Sequence, residues 1–143
     1  MIDKSVLFEA KAFLCWDKFP QLSIKLIPIN EAVAFFYPSK KNISTINIFY
    51  EKDTQDFSKA IFLLFHEAGH LQQWHNLSDL NREDEFWRLV EQDKGEQKNL
   101  FELQAWAFGE SLLSEFIDKK KITNNKMIDS YKRFSKKCLL TYK

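Results

Sequence analysis

The sequence predicts an α+β fold: a small three-stranded sheet with antiparallel neighbours, packed on the helix that carries HEAGH and followed by three further helices. Three observations predict it. The hydrophobic period is helical over residues 3 to 17, switches to short β-branched and aromatic runs over 22 to 51, and returns to helical spacing from about 58 onward. Only 3 Gly and 3 Pro occur in 143 residues, and 45% of the chain is hydrophobic, as a packed core requires. The length suits one domain spanning 1–143, with an N-terminal helix in 1–20 and a basic C-terminal helix in 119–143.

In the first helix Val6, Ala10 and Phe13, flanked by Leu7 and Leu14, recur at helical spacing, and Pro20 closes the segment. LSIKLIPI (22–29), AVAFFYP (32–38) and STINIFYE (44–51) then read as three strands separated by INE and SKKN turns. Pro28 suggests an edge position or a bulge for the first of them. Asp56 or Ser58 supplies a cap for a helix reaching about residue 76, and Ser78 a cap for the next, which Lys94 and Gly95 would end near 93. A long helix is predicted over about 97–118. The last, over about 124–141, places Met127, Ile128, Tyr131, Phe134, Cys138 and Leu139 on one stripe and its lysines on the other side.

Charge and cysteine usage narrow the function classes. The net charge is +1, but residues 119–143 hold nine Lys or Arg against one acid, Asp129, which leaves 1–118 near −7. A basic tail of this kind could hold an acidic partner or nucleic acid; a solvated helix face is the favoured reading, and direct nucleic-acid binding is not expected. Cys15 and Cys138 are far apart and form no C-x-x-C pair, so reduced thiols are expected in place of a zinc ribbon or a disulfide framework. Charges interrupt the N-terminal segment, and no run of 18 apolar residues exists; a cytoplasmic protein without a membrane segment is the expectation.

The chemistry lies in FLLFHEAGHLQQW, residues 62 to 74. His66 and His70, four apart on a helix, are offset by about 40°, so both imidazoles reach one ion. Glu67 is offset by about 100° from His66; it misses the metal but reaches a water beside it, as a general base must. Burying two histidines and a glutamate in so apolar a helix is costly without a compensating partner. A third ligand is required. Asn76 occupies the place of the third histidine of the elongated motif, and His75 points about 180° away from His66. In KNLFELQAWAFGESLLSEFI, Glu102 lies at the centre of a stripe formed by Ala105, Trp106, Gly109, Leu113 and Phe116, with Gln104, Ser111 and Glu115 opposite. A carboxylate there is protonated, paired or metal-bound. Glu110, at the rim, is the second choice.

HEAGH in an apolar helix after a short sheet, followed about thirty residues later by ELQAW, resembles the small gluzincin metallopeptidases of the ImmA/IrrE type over residues 22 to 117. The resemblance implies a zincin-like domain, one Zn2+ per chain held by His66, His70 and Glu102, and hydrolysis of a protein or peptide substrate, a DNA-binding regulator among the candidates. Two positions depart from the pattern: Gln104 stands where a second acid is frequent, and Trp106 where Asn or Asp is frequent. Glu67 is the expected base. Tyr37, Tyr50, His75 and Tyr131 are the candidates for steadying the oxyanion, and residues 44–51 are a candidate sheet edge for an extended substrate. The alternative is a non-catalytic, metal-stapled interaction module, a regulator or antitoxin-like partner. An SprT-like DNA-associated protease is disfavoured by the missing C-x-x-C ribbon.

Overall fold

The computed structural model describes residues 1–29, 34–37, 44–122 and 126–142. Among them are five α-helices and one three-stranded sheet, divided into two compact units, Met1–Ala68 and Gly69–Lys143, with one helix running through the boundary.

The first unit opens with α1 (Lys4–Ala12), which continues as a π-helical segment Phe13–Lys18. Leu7, Ala10, Phe13 and Leu14 are buried and Val6 is half-buried. The strands are β1 (Leu22–Ile29), β2 (Ala34–Tyr37) and β3 (Ser44–Glu51), in the order β1-β3-β2. This corrects the predicted antiparallel sheet: β1 runs parallel to β3 from Leu22 opposite Ser44 to Ile29 opposite Glu51, and only β2 is antiparallel to β3. Side-chain alternation has the same period of two in either direction, so the hydrophobic pattern carries no information on polarity. What decides is the route of the chain: β2 runs opposite to both other strands, and β3, antiparallel to β2, lies between β2 and β1 and so runs the same way as β1. Two eight-residue strands pair along their whole extent, aligning buried Leu22 and Ile24 with Ser44 and Ile46, whereas the four-residue β2 covers only Thr45 to Ile48. Pro28 lies in β1, an edge strand. Most of the INE turn, all of SKKN, and residues 32, 33 and 38 of the predicted second strand lie outside the described residues.

The helix α2 (Ser58–Asp79) starts on Asp56, whose Oδ1 accepts the backbone N–H groups of Ser58 (3.1 Å) and Ile2 (3.0 Å). It passes the predicted break near 76 because nothing there stops it. The stop is Asn81, at φ 55°, with Arg82 N–H donating to the Leu77 carbonyl (2.8 Å); asparagine tolerates this left-handed conformation better than most residues. Ser78 is therefore inside α2, and its hydroxyl donates to Glu83 (3.1 Å).

The second unit continues with α3 (Glu83–Glu91), α4 (Glu96–Lys120) and α5 (Lys126–Leu139). Gly95, expected to end a helix, precedes the first residue of α4 instead; its φ of 114° suits glycine, and its N–H donates to the Tyr142 carbonyl (3.0 Å). Tyr131 on α5 donates its hydroxyl to the Trp106 carbonyl (2.8 Å), and the Trp106 ring packs edge-on against Tyr131 and Phe134. Of the predicted α5 stripe, Met127 and Tyr131 are buried and the remainder half-buried. Cys15 and Cys138 are half-buried thiols, and burial pushes the Cys15 thiol up from its ordinary value. No helix among the described residues is long and apolar enough to cross a membrane.

Candidate metal centre

The site begins with a glycine. A Cβ at Gly69 would sit 2.0 Å from the carbonyl oxygen of Ala105, so α2 and α4 meet backbone to backbone at the glycine of HEAGH. Only a residue without a side chain permits that approach. It brings the α2 imidazole of His70 to the α4 carboxylate of Glu102, Nε2 to Oε2, at 2.7 Å.

His66, His70 and Glu102 are buried, and one ligand atom from each lies within 4.8 Å of the others. This group could hold a metal ion. Ligands about 2.0–2.2 Å from a tetrahedral ion stand roughly 3.3 Å apart, so the His70–Glu102 contact must open by about half an ångström to admit one. Two imidazoles and a carboxylate are a donor set that zinc accepts with one position left over. Glu67, next to His66 on α2, is also buried.

The surroundings fix these groups in place. His70 Nδ1 lies 2.8 Å from Gln73 Oε1. Gln73 Nε2 donates to the Phe101 carbonyl (2.7 Å) and to Gln104 Oε1 (2.9 Å). The Phe101 ring lies 5.0 Å from the His70 ring and packs edge-on against Phe86, which in turn meets Trp74 and Trp87. On the other side of Glu102, buried Lys98 places Nζ 3.7 Å from Oε1 and donates to the carbonyls of Leu89 (3.1 Å) and Val90 (3.2 Å) at the end of α3. One carboxylate oxygen thus faces a lysine and the other a histidine.

The predicted candidates separate clearly. Glu110, the second choice for third ligand, pairs with Lys132 on α5 at 3.2 Å. His75 is exposed on a helix that continues to Asp79, and Gln104, Ser111 and Glu115 are exposed on α4. Tyr131 is buried with its hydroxyl committed to Trp106, and the surrounding protein pushes it well above the usual phenol range through burial and then the Glu110 charge. Tyr50 is buried against Phe57. The Tyr37 side chain lies outside the described residues. β3 is the middle strand, so residues 44–51 do not form the sheet edge suggested for an extended substrate.

Sequence reasoning missed Gln73 and Lys98. The signal for Gln73 was its spacing, three residues after His70 on the same face; that for Lys98 was its place four residues before Glu102. Trp106 and Gln104, the two positions of ELQAW that depart from the gluzincin pattern, also have assigned work: the first packs α5, and the second completes the Gln73 amide. No protein-family model, curated protein or solved structure matches the chain.

Proposed function

We propose that the chain is a zinc-dependent metallopeptidase of the ImmA/IrrE type, with His66, His70 and Glu102 as ligands and Glu67 as general base. The observation that supports this reading best is the buried His66–His70–Glu102 group, with a buried carboxylate immediately following its first histidine. When bound, zinc supplies Lewis acidity, which polarises a carbonyl and makes a water easier to deprotonate. The chain's own residues do the rest. Glu67 accepts a proton from the attacking water on a carboxylate oxygen and returns it to the leaving nitrogen of the cleaved peptide bond. Lys98 places its Nζ 3.7 Å from Glu102 Oε1, on the side of the carboxylate away from His70. The substrate class that follows is protein or peptide, with a DNA-binding regulator as one candidate from the family resemblance.

The test separates an enzyme from a metal-stapled module. Glu67→Gln leaves all three ligands in place, so it should bind zinc as wild type does while losing hydrolysis of a mixed peptide library. Equal hydrolysis by wild type and variant would remove Glu67 from the mechanism. Zinc binding by both with hydrolysis by neither, across unfolded protein and peptide substrates, would favour the module.

A further inference from the structure

We infer that Gln73 is a positioning residue that sets the tautomer of His70, holding the ring proton on Nδ1 and turning Nε2 toward the ligand cluster. The inference rests on the metal-site reading of His66, His70 and Glu102. It starts from a group that cannot be reversed. The Phe101 carbonyl only accepts hydrogen bonds, and it lies 2.7 Å from the end of the Gln73 side chain, so that end is the NH2 group. Its second N–H goes to Gln104 Oε1 at 2.9 Å. Oε1 must then be the atom 2.8 Å from His70 Nδ1. An amide oxygen only accepts, so the proton of that contact belongs to Nδ1.

The other nitrogen, Nε2, faces Glu102 Oε2 at 2.7 Å, a contact that shares a proton in the metal-free protein and would offer the Nε2 lone pair to an ion that displaces that proton, on the side where the three ligand atoms converge. Gln73 is 2% exposed and makes these contacts to α2 and α4 at once, so it fixes the ring of one ligand relative to the helix that carries another. Hydrogen bonds of this kind orient ligating histidines and raise their basicity. Glutamine does so here without placing a second negative charge beside Glu102. That explains how a site lacking an acid at 104 still holds its histidine: the Gln104 side chain takes the spare amide proton of Gln73.

The experiment uses the full chain labelled with 15N, following the His70 ring nitrogens in the metal-free protein and on titration with zinc, together with zinc affinity from competition against a chromogenic chelator. In wild type, Nδ1 should carry a proton in both states, and zinc should shift the Nε2 resonance. Gln73→Leu should weaken zinc binding by about 10–100-fold and release the preference for Nδ1–H. Gln104→Ala, which leaves the Phe101 carbonyl to orient the amide, should change both much less. An unprotonated Nδ1 in wild type overturns the inference, and needs no variant to fold. So does a folded Gln73→Leu protein with wild-type zinc affinity and wild-type ring shifts. If wild type takes up no zinc, the metal reading fails by itself, and the metal-free tautomer still decides the role of Gln73.

Discussion

Replacing Gly69 by alanine tests the helix contact on which the centre is built. The added methyl carbon would lie 2.0 Å from the Ala105 carbonyl oxygen and 2.8 Å from its carbonyl carbon, whereas a relaxed carbon–oxygen contact is about 3.3–3.6 Å. The obstructing atoms are backbone, so no side chain can swing aside; α2 and α4 must separate by roughly 1.3–1.6 Å. Alanine gains about 1 kcal/mol over glycine in helix propensity, and overpacking typically costs about 1–3 kcal/mol, more for so short a contact. The balance is a net loss of about 2 kcal/mol. A displacement of that size also exceeds the ±0.2 Å tolerance of metal–ligand distances by several-fold, so zinc affinity should fall with stability. Urea denaturation of the metal-free protein and chelator competition measure the two effects. A Gly69→Ala protein that is more stable than wild type by the propensity gain, with zinc affinity intact, would refute the backbone contact and the route from Gly69 to the site.

Other perturbations test separate parts of the structure. Glu102→Gln should sharply reduce zinc affinity with modest loss of helix content, while Glu110→Gln should lose only the Lys132 contact and leave zinc in place; the reverse result would move the third ligand. His75→Ala should leave zinc affinity unchanged, because the ring is exposed on a helix that continues past it. Lys98→Met removes a donor shared by two α3 carbonyls and should lower the urea midpoint and weaken zinc binding together; a lowered midpoint with unchanged zinc affinity would limit Lys98 to tying down α3. Asp56 is held below its usual 3.8 chiefly by the Ser58 hydroxyl, with the backbone N–H groups of Ile2 and Ser58 adding to it against partial desolvation. Its contribution is therefore present above the unfolded value and lost as pH falls through the folded one. Asp56→Ala should cost about 1 kcal/mol at neutral pH, a difference from wild type that shrinks below pH ~4 and whose persistence there would count against the cap.

What the sequence disclosed depended on whether the information was local. The four-residue spacing of His66 and His70 fixes their common face within one helix, and Glu102 could be found because an acid at the centre of an apolar stripe is conspicuous on α4 alone. The partners that hold these side chains were not legible. Gln73 looks like one polar residue among several in LQQW until Phe101 is folded against it, and Lys98 looks like a surface lysine until the end of α3 arrives. Strand direction was lost for another reason, since Leu22, Ile24, Ile46 and Ile48 alternate identically in parallel and antiparallel pairs. The end of α2 was misplaced because Ser78 resembles a cap, whereas Asn81 supplies the left-handed residue that stops the helix. Trp106, read first as a departure from a metallopeptidase pattern, is explained by Tyr131 and Phe134 on a helix that the HEAGH region does not mention.

Zinc K-edge X-ray absorption on the chain purified without chelator, with the metal quantified on the same sample, addresses the central claim most directly. The account predicts about one zinc per chain, with a first shell of nitrogen and oxygen only at about 2.0–2.2 Å, including the outer-shell scattering of two imidazoles. A sulfur shell, a single imidazole, or a protein that neither carries nor takes up stoichiometric zinc would contradict it.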